Sequence, residues 1–199
     1  MEKKVMEKKK LGVKDLVNVG IFTAIYFVVF FISASTGMIP VMAVFFPLLS
    51  AVLAGIPMIL FFTRTDKFGA ITILGIIAGL INAAMGYGLQ SVFGAILCGL
   101  LADLIMKAGK YKSWKHMIVS YIIFSEWVIF TMLPMWYMKD EYFENVKNLS
   151  GAEFADATSA LITNYMLIVV IVGTAVAAII GAFLGKVVLK KHFKRAGIA

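Results

Sequence analysis

Apolar residues run through this chain in long blocks, each closed by a short stretch of glycine, proline or charge. The blocks are continuous, so they carry neither the alternation of a surface strand nor the single stripe of a soluble helix. A block of roughly 17–25 apolar residues is the length a helix needs to cross a bilayer. On this pattern the chain predicts six helices, at residues 13–32, 41–62, 68–83, 91–106, 117–137 and 159–189. The third and fourth are short for a full span, so their ends stay open. Pro47 and Pro57 are expected to kink or break the second helix, because proline lacks the amide that an interior turn uses.

The joints between blocks carry the polar sequence. Residues 33–40 (SASTGMIP) and 84–90 (AMGYGLQ) read as outer turns, and residues 138–158 as the longest outer loop. Residues 63–67 (TRTDK) and 107–115 (KAGKYKSWK) turn on the inner side. The expected fold class is all-α, a polytopic membrane bundle of six helices over residues 13–189. A basic arm at 1–12 and a basic tail at 190–199 flank it. An even number of spans places both termini on one side. Of 19 Lys and Arg, only Lys139 and Lys147 fall outside, where Asp140, Glu141, Glu144, Glu153 and Asp156 make the long loop acidic. The positive-inside rule then makes both termini cytoplasmic.

Composition sharpens the class. The chain is 61% hydrophobic and 15% charged, with a mean hydropathy of +0.93. A soluble domain of this size cannot bury that much apolar surface. The first apolar block is too long for a signal-peptide core, and no small-residue cleavage site follows it. The net charge of +8 does not point to nucleic acid, because the charges flank the apolar spans.

Several chemistries are unsupported. Cys98 is the lone cysteine, which excludes an intrachain disulfide and a thiolate cluster. The two histidines, His116 and His192, lie in basic segments, and no metal or cofactor is expected. Residues 181–187 (GAFLGKV) have the outline of a phosphate loop. They are one residue short and lack the hydroxyl that holds magnesium, so ATP hydrolysis is not expected of this chain. No HExxH, GxSxG or paired-acid arrangement appears, so the protein is not expected to be an enzyme.

Small residues mark helix contacts. Gly173, Ala177, Gly181 and Gly185 recur at four-residue spacing on the last helix. Gly75, Gly79 and Ala83, and Ala95 and Gly99, do so on the third and fourth, where packing within the chain is the simplest reading. Membrane helices associate where such residues let backbones approach. Gly20 and Ala24 form a small-xxx-small pair on the first helix, open to internal packing or to a partner.

Glu126 stands at the centre of the fifth span, where a carboxylate costs on the order of 3 kcal/mol and is expected to face a cavity or a partner. Helical period puts Phe130, Leu133 and Tyr137 on its face, rising to the outer surface. Asn82, Tyr87, Gln90, Asn164 and Tyr165 fall near the same surface. Trp127 lies mid-span, while Trp114 and Trp136 sit where interface anchors do. An apolar and aromatic pocket with a few placed polar groups is the usual form of a small-ligand site. The candidate substrate-binding residues are Glu126, Asn82, Asn164, Tyr87, Gln90, Phe130, Tyr137 and Trp127. Helix-end Asn and Gln also serve simply to satisfy backbone groups, and Asn164 lies half a turn from Gly173. Asp103 reads as structural, reaching a headgroup or a lysine of the next loop.

The ending GAFLGKVVLKKHFKRAGIA and the start LGVKDLVNVGIFTAIYF resemble the Trep_Strep group of substrate-binding S components of energy-coupling factor (ECF) transporters. The resemblance covers nearly the whole chain. It implies capture of a vitamin-like micronutrient at the outer face, then docking on a shared transmembrane coupling protein driven by two ABC-type ATPases. It implies that Gly20 and Ala24, where the family usually has Ala-xxx-Ala, face the coupling protein, and that residues 33–40 act as a lid. Ligand contacts in that family vary with substrate, so Glu126, Asn82 and Asn164 rest on the residue argument alone. The alternatives are a stand-alone secondary carrier, for which Glu126 is the one acid clearly within the membrane, and a small membrane enzyme.

Overall fold

The computed structural model describes residues 11–195, with side chains to residue 191. The arm at 1–10, the end of the tail and the His192 side chain lie outside the described residues. Ten α-helices follow in order: α1 (Val13–Ser35), α2 (Pro40–Arg64), α3 (Ala70–Asn82), α4 (Leu89–Ala108), α5 (Trp114–Ser125), α6 (Trp127–Met132), α7 (Pro134–Tyr137), α8 (Lys139–Ser150), α9 (Ala152–Leu161) and α10 (Asn164–Arg195). A 3-10 turn, Thr36–Met38, joins α1 to α2, and a π-helical turn, Ala83–Tyr87, follows α3. No strand occurs among the described residues.

Among the described residues, five helices are long and apolar enough to cross a membrane: α1, α2, α3 with its π turn, α4 and α10. The block at 117–137 is built instead as α5, α6 and α7. Glu126 and Leu133, at the joints, keep right-handed helical dihedrals, so the helical path continues through both. At Glu126 the ladder tightens, with Glu126 N–H donating to Ile123 O at 3.3 Å and Ile129 N–H to Glu126 O at 3.0 Å. Pro134 opens α7 and supplies no amide to the turn before it.

Two expectations change. Pro47 and Pro57, expected to kink or break the second helix, do not break it: both lie buried inside a continuous α2, which membrane helices tolerate when neighbours cover the freed carbonyls. The loop expected at 138–158 is a helical hairpin, α8 and α9.

Small residues hold the bundle together. A side chain at Gly55 of α2 would run into the backbone of Gly181 on α10, and one at Gly185 into Gly55 O and Ile59. On α3, Gly75 and Gly79 face Ala95, Val92 and Ser91 of α4, and Gly99 faces Ile71 and Thr72. The seams on the third, fourth and last helices are therefore used within the chain. Around them pack Phe22, Tyr26, Phe30, Phe61, Phe62, Tyr121 and Phe124, with Tyr121 Oη donating to Ala51 O at 2.5 Å.

Asp103 is fully buried and grips the start of α3. It accepts from Thr72 N–H at 2.7 Å, Thr72 Oγ1 at 2.5 Å and Ile71 N–H at 3.4 Å. These first-turn amides have no partner within their own helix, so a carboxylate from α4 satisfies them. Asp103 is structural, as expected, but its partners are two amides and a hydroxyl rather than a lysine. Asp15, near the start of α1, pairs instead with Lys67 at 2.6 Å.

Candidate functional site

The connections α1–α2, α3–α4 and α7–α10 meet at one end of the bundle and line a half-open cavity of about 580 Å³. Ala34 of α1, Ala43 and Phe46 of α2 and Met135 of α7 form its helical wall. Gly37 and Met38 of the 3-10 turn and Tyr87 of the π turn line it from the shorter connections. The α8–α9 hairpin contributes Tyr142, Phe143, Val146 and Leu149 from α8, Ser150 at its end, and Phe154 and Thr158 from α9.

The hairpin follows from its sequence. Tyr142, Phe143, Val146 and Leu149 recur at helical spacing, while Asp140, Glu141, Glu144 and Lys147 take the other face. Gly151, at φ +91°, lets the chain turn from α8 into α9, a conformation that costs glycine little. Two bonds pin the ends of the hairpin together. Lys139 Nζ donates to Ile162 O at 2.9 Å, and Trp136 Nε1 donates to Thr163 O at 2.8 Å.

Of the eight residues expected to share a pocket, Tyr87 lines this cavity and the other seven do not. Gln90 acts behind Tyr87, its Nε2 donating to Tyr87 O at 2.6 Å and holding the turn. Asn82 is fully buried and donates back to Ala78 O at 3.1 Å, and its Oδ1 has no partner among the described residues. Asn164 and Tyr165 are exposed at the start of α10, where Thr163 Oγ1 accepts from Met166 N–H at 3.1 Å. Trp127 is a core residue, donating to Tyr26 Oη at 2.7 Å and stacked on Phe30.

Glu126, Phe130, Leu133 and Tyr137 do share a face, but it is the outer one, half-buried at the first three and exposed at Tyr137. Phe130 packs on Gly94 of α4. The buried face of the same path carries Val128, Thr131 and Met135, and Met135 reaches the cavity. Both carboxylate oxygens of Glu126 are shielded and have no hydrogen-bond partner among the described residues. Glu126→Gln is therefore expected to leave affinity for a molecule in the cavity unchanged and to leave the melting temperature no lower. A tenfold loss of affinity, on the order of 1.4 kcal/mol, would return the acid to the site.

The residues that the sequence reading missed are those of the hairpin, with Phe46 and Met135. The period of apolar positions at 142, 143, 146 and 149 is the signal that reveals α8. Elsewhere, Gly20 and Ala24 are exposed on α1, and a side chain added at Gly20 would meet nothing within 4 Å. Ile21, Ile25 and Val28 extend the same uncovered apolar surface. The basic residues Arg64, Lys67, Lys107, Lys110, Lys112 and Lys115 fall in or beside the α2–α3 and α4–α5 connections, at the far end of the helices from the cavity.

A family model described as a hypothetical bacterial integral membrane protein (Trep_Strep) matches residues 13–195. No curated protein and no solved structure matches the chain significantly. The chain is a multi-pass membrane protein.

Proposed function

Because the chain belongs to the Trep_Strep family of bacterial integral membrane proteins, we propose that it is the substrate-capture subunit of an ECF-type importer, with no catalysis of its own. It takes a vitamin-like small molecule from outside and docks on a transmembrane coupling protein driven by two ABC-type ATPases. The observation that carries this reading is the cavity at the end of the bundle remote from the basic connections. Basic connections stay in the cytoplasm, so the cavity opens outward.

The same charge rule sets the topology. The helical backbone from Trp114 to Tyr137 supports reading the path α5–α6–α7 as a further crossing beside the five long helices. Six crossings put both termini in the cytoplasm, and the acidic face of α8 outside. The Gly20–Ala24 surface of α1 fits the coupling protein, because bare small residues allow a second helix to approach closely.

Uptake into proteoliposomes tests this reading against a stand-alone carrier. Transport of the molecule that co-purifies with the chain is expected only when the coupling protein, both ATPases and ATP are present. Uptake by this chain alone under an ion gradient would replace the proposal with a secondary carrier.

A further inference from the structure

The outer cavity also carries information about charge. Among the described residues, no Asp, Glu, Lys, Arg or His side chain lines it. Charges are close by but segregated: Lys139, Asp140, Glu144, Lys147 and Asp156 line a separate hollow on the hairpin, which shares only Phe143 with the cavity. Helix α8 thus presents rings to the cavity and charges to the other side.

Five rings line the cavity, from Phe46, Tyr87, Tyr142, Phe143 and Phe154. Met38 and Met135 add polarizable sulfur, which sits well against ring edges. The polar side chains of the lining are all neutral hydroxyls, from Tyr87, Tyr142, Ser150 and Thr158. Burial raises the pKa of the Tyr142 phenol, with a smaller contribution from Tyr87, so its hydroxyl remains a neutral donor and acceptor. Thr158 Oγ1 spends its proton on Phe154 O at 2.8 Å and offers the cavity an acceptor. An ion placed here would give up part of its water and gain no counter-charge from the lining, whereas a flat ring would gain contact with several aromatic side chains.

We propose that the cavity selects an uncharged, ring-bearing molecule with one or two hydrogen-bonding groups, and rejects anions and cations of the same shape. This assignment rests on the capture reading above and adds to it the class of substrate. A volume of about 580 Å³ suits a molecule of vitamin or drug size.

Three probes with one ring and different charge test it: naphthylmethanol, naphthoate and naphthylmethylammonium. Each is dialysed to equilibrium against the full chain in phosphatidylcholine nanodiscs, with empty nanodiscs as the control for lipid partition. Naphthylmethanol is expected to bind saturably and at least about tenfold more tightly than either ion. Its binding is expected to fall by about tenfold in Tyr142→Ala/Phe154→Ala, because two of the five lining rings are gone. Gly37→Trp, which fills the cavity from the 3-10 turn, should abolish it without altering the hairpin. An ion that binds as tightly as the alcohol, and is lost in Gly37→Trp, overturns the substrate class and leaves the capture reading standing. Binding that neither variant changes, or no saturable binding of any probe, overturns the cavity as a capture site.

Discussion

Gly181→Leu is expected to stop the chain from folding, whereas Gly20→Leu, the same substitution on another membrane helix, is expected to leave the fold intact. At Gly181 an added Cβ would overlap Ala51 O and crowd Val52, and the facing position on α2 is Gly55, equally close. The two helices would have to separate along the seam that also holds Gly185 against Gly55 O and Ile59. Overpacking a tight contact costs about 1–3 kcal/mol, and more where backbone rather than a flexible side chain must move. Membrane helices have little hydrophobic force between them to offset that loss. At Gly20 the added Cβ meets nothing within 4 Å. The check is size-exclusion chromatography of fluorescently tagged variants in mild detergent. A monodisperse peak for Gly181→Leu would show that α2 and α10 are not locked at this point.

The second large effect concerns assembly. Gly20→Leu with Ala24→Leu is expected to abolish co-purification with the coupling protein and the ATPases, while the purified subunit keeps its melting temperature and its ligand. Both residues are exposed on α1, so two leucines disturb no internal packing. They would hold an approaching helix off by the width of a side chain, which removes the close contact on which membrane association depends. Survival of the complex would move the docking surface elsewhere. Loss of the folded subunit itself would show that this face packs internally.

Much of this architecture is readable along the chain, because the solvent is a bilayer. The apolar blocks that predict spans correspond to α1, α2, α3, α4 and α10, and the small residues at 75, 79, 95, 99, 181 and 185 lie where helices touch. Fold class needs only length and hydropathy. Facing is another matter. Helical period correctly groups Glu126, Phe130, Leu133 and Tyr137, yet it cannot say which neighbour that group meets. The tertiary arrangement turns it toward α4 and outward, and gives the cavity to the Met135 face.

The hairpin was obscured for a different reason. Five acids between positions 140 and 156 make the segment look like a solvated loop, although Tyr142, Phe143, Val146 and Leu149 keep a helical period beneath them. Trp127 illustrates a third limit. A mid-span tryptophan fits a pocket or a core equally well by sequence, and the Tyr26 hydroxyl on α1, donated to at 2.7 Å, decides for the core. Glu126 is legible as costly from sequence, and it lies outside the cavity lining.

The most direct measurement is untargeted mass spectrometry of small molecules released from the purified subunit, compared between the natural chain and Gly37→Trp. Gly37 lines the cavity, and a Cβ there makes only an ordinary contact with Ala43 Cα at 3.6 Å, so the variant should fold. The account predicts one uncharged small molecule in near-equimolar amount from the natural chain, and none from the folded variant. The same molecule recovered in equal amount from both would contradict capture in this cavity.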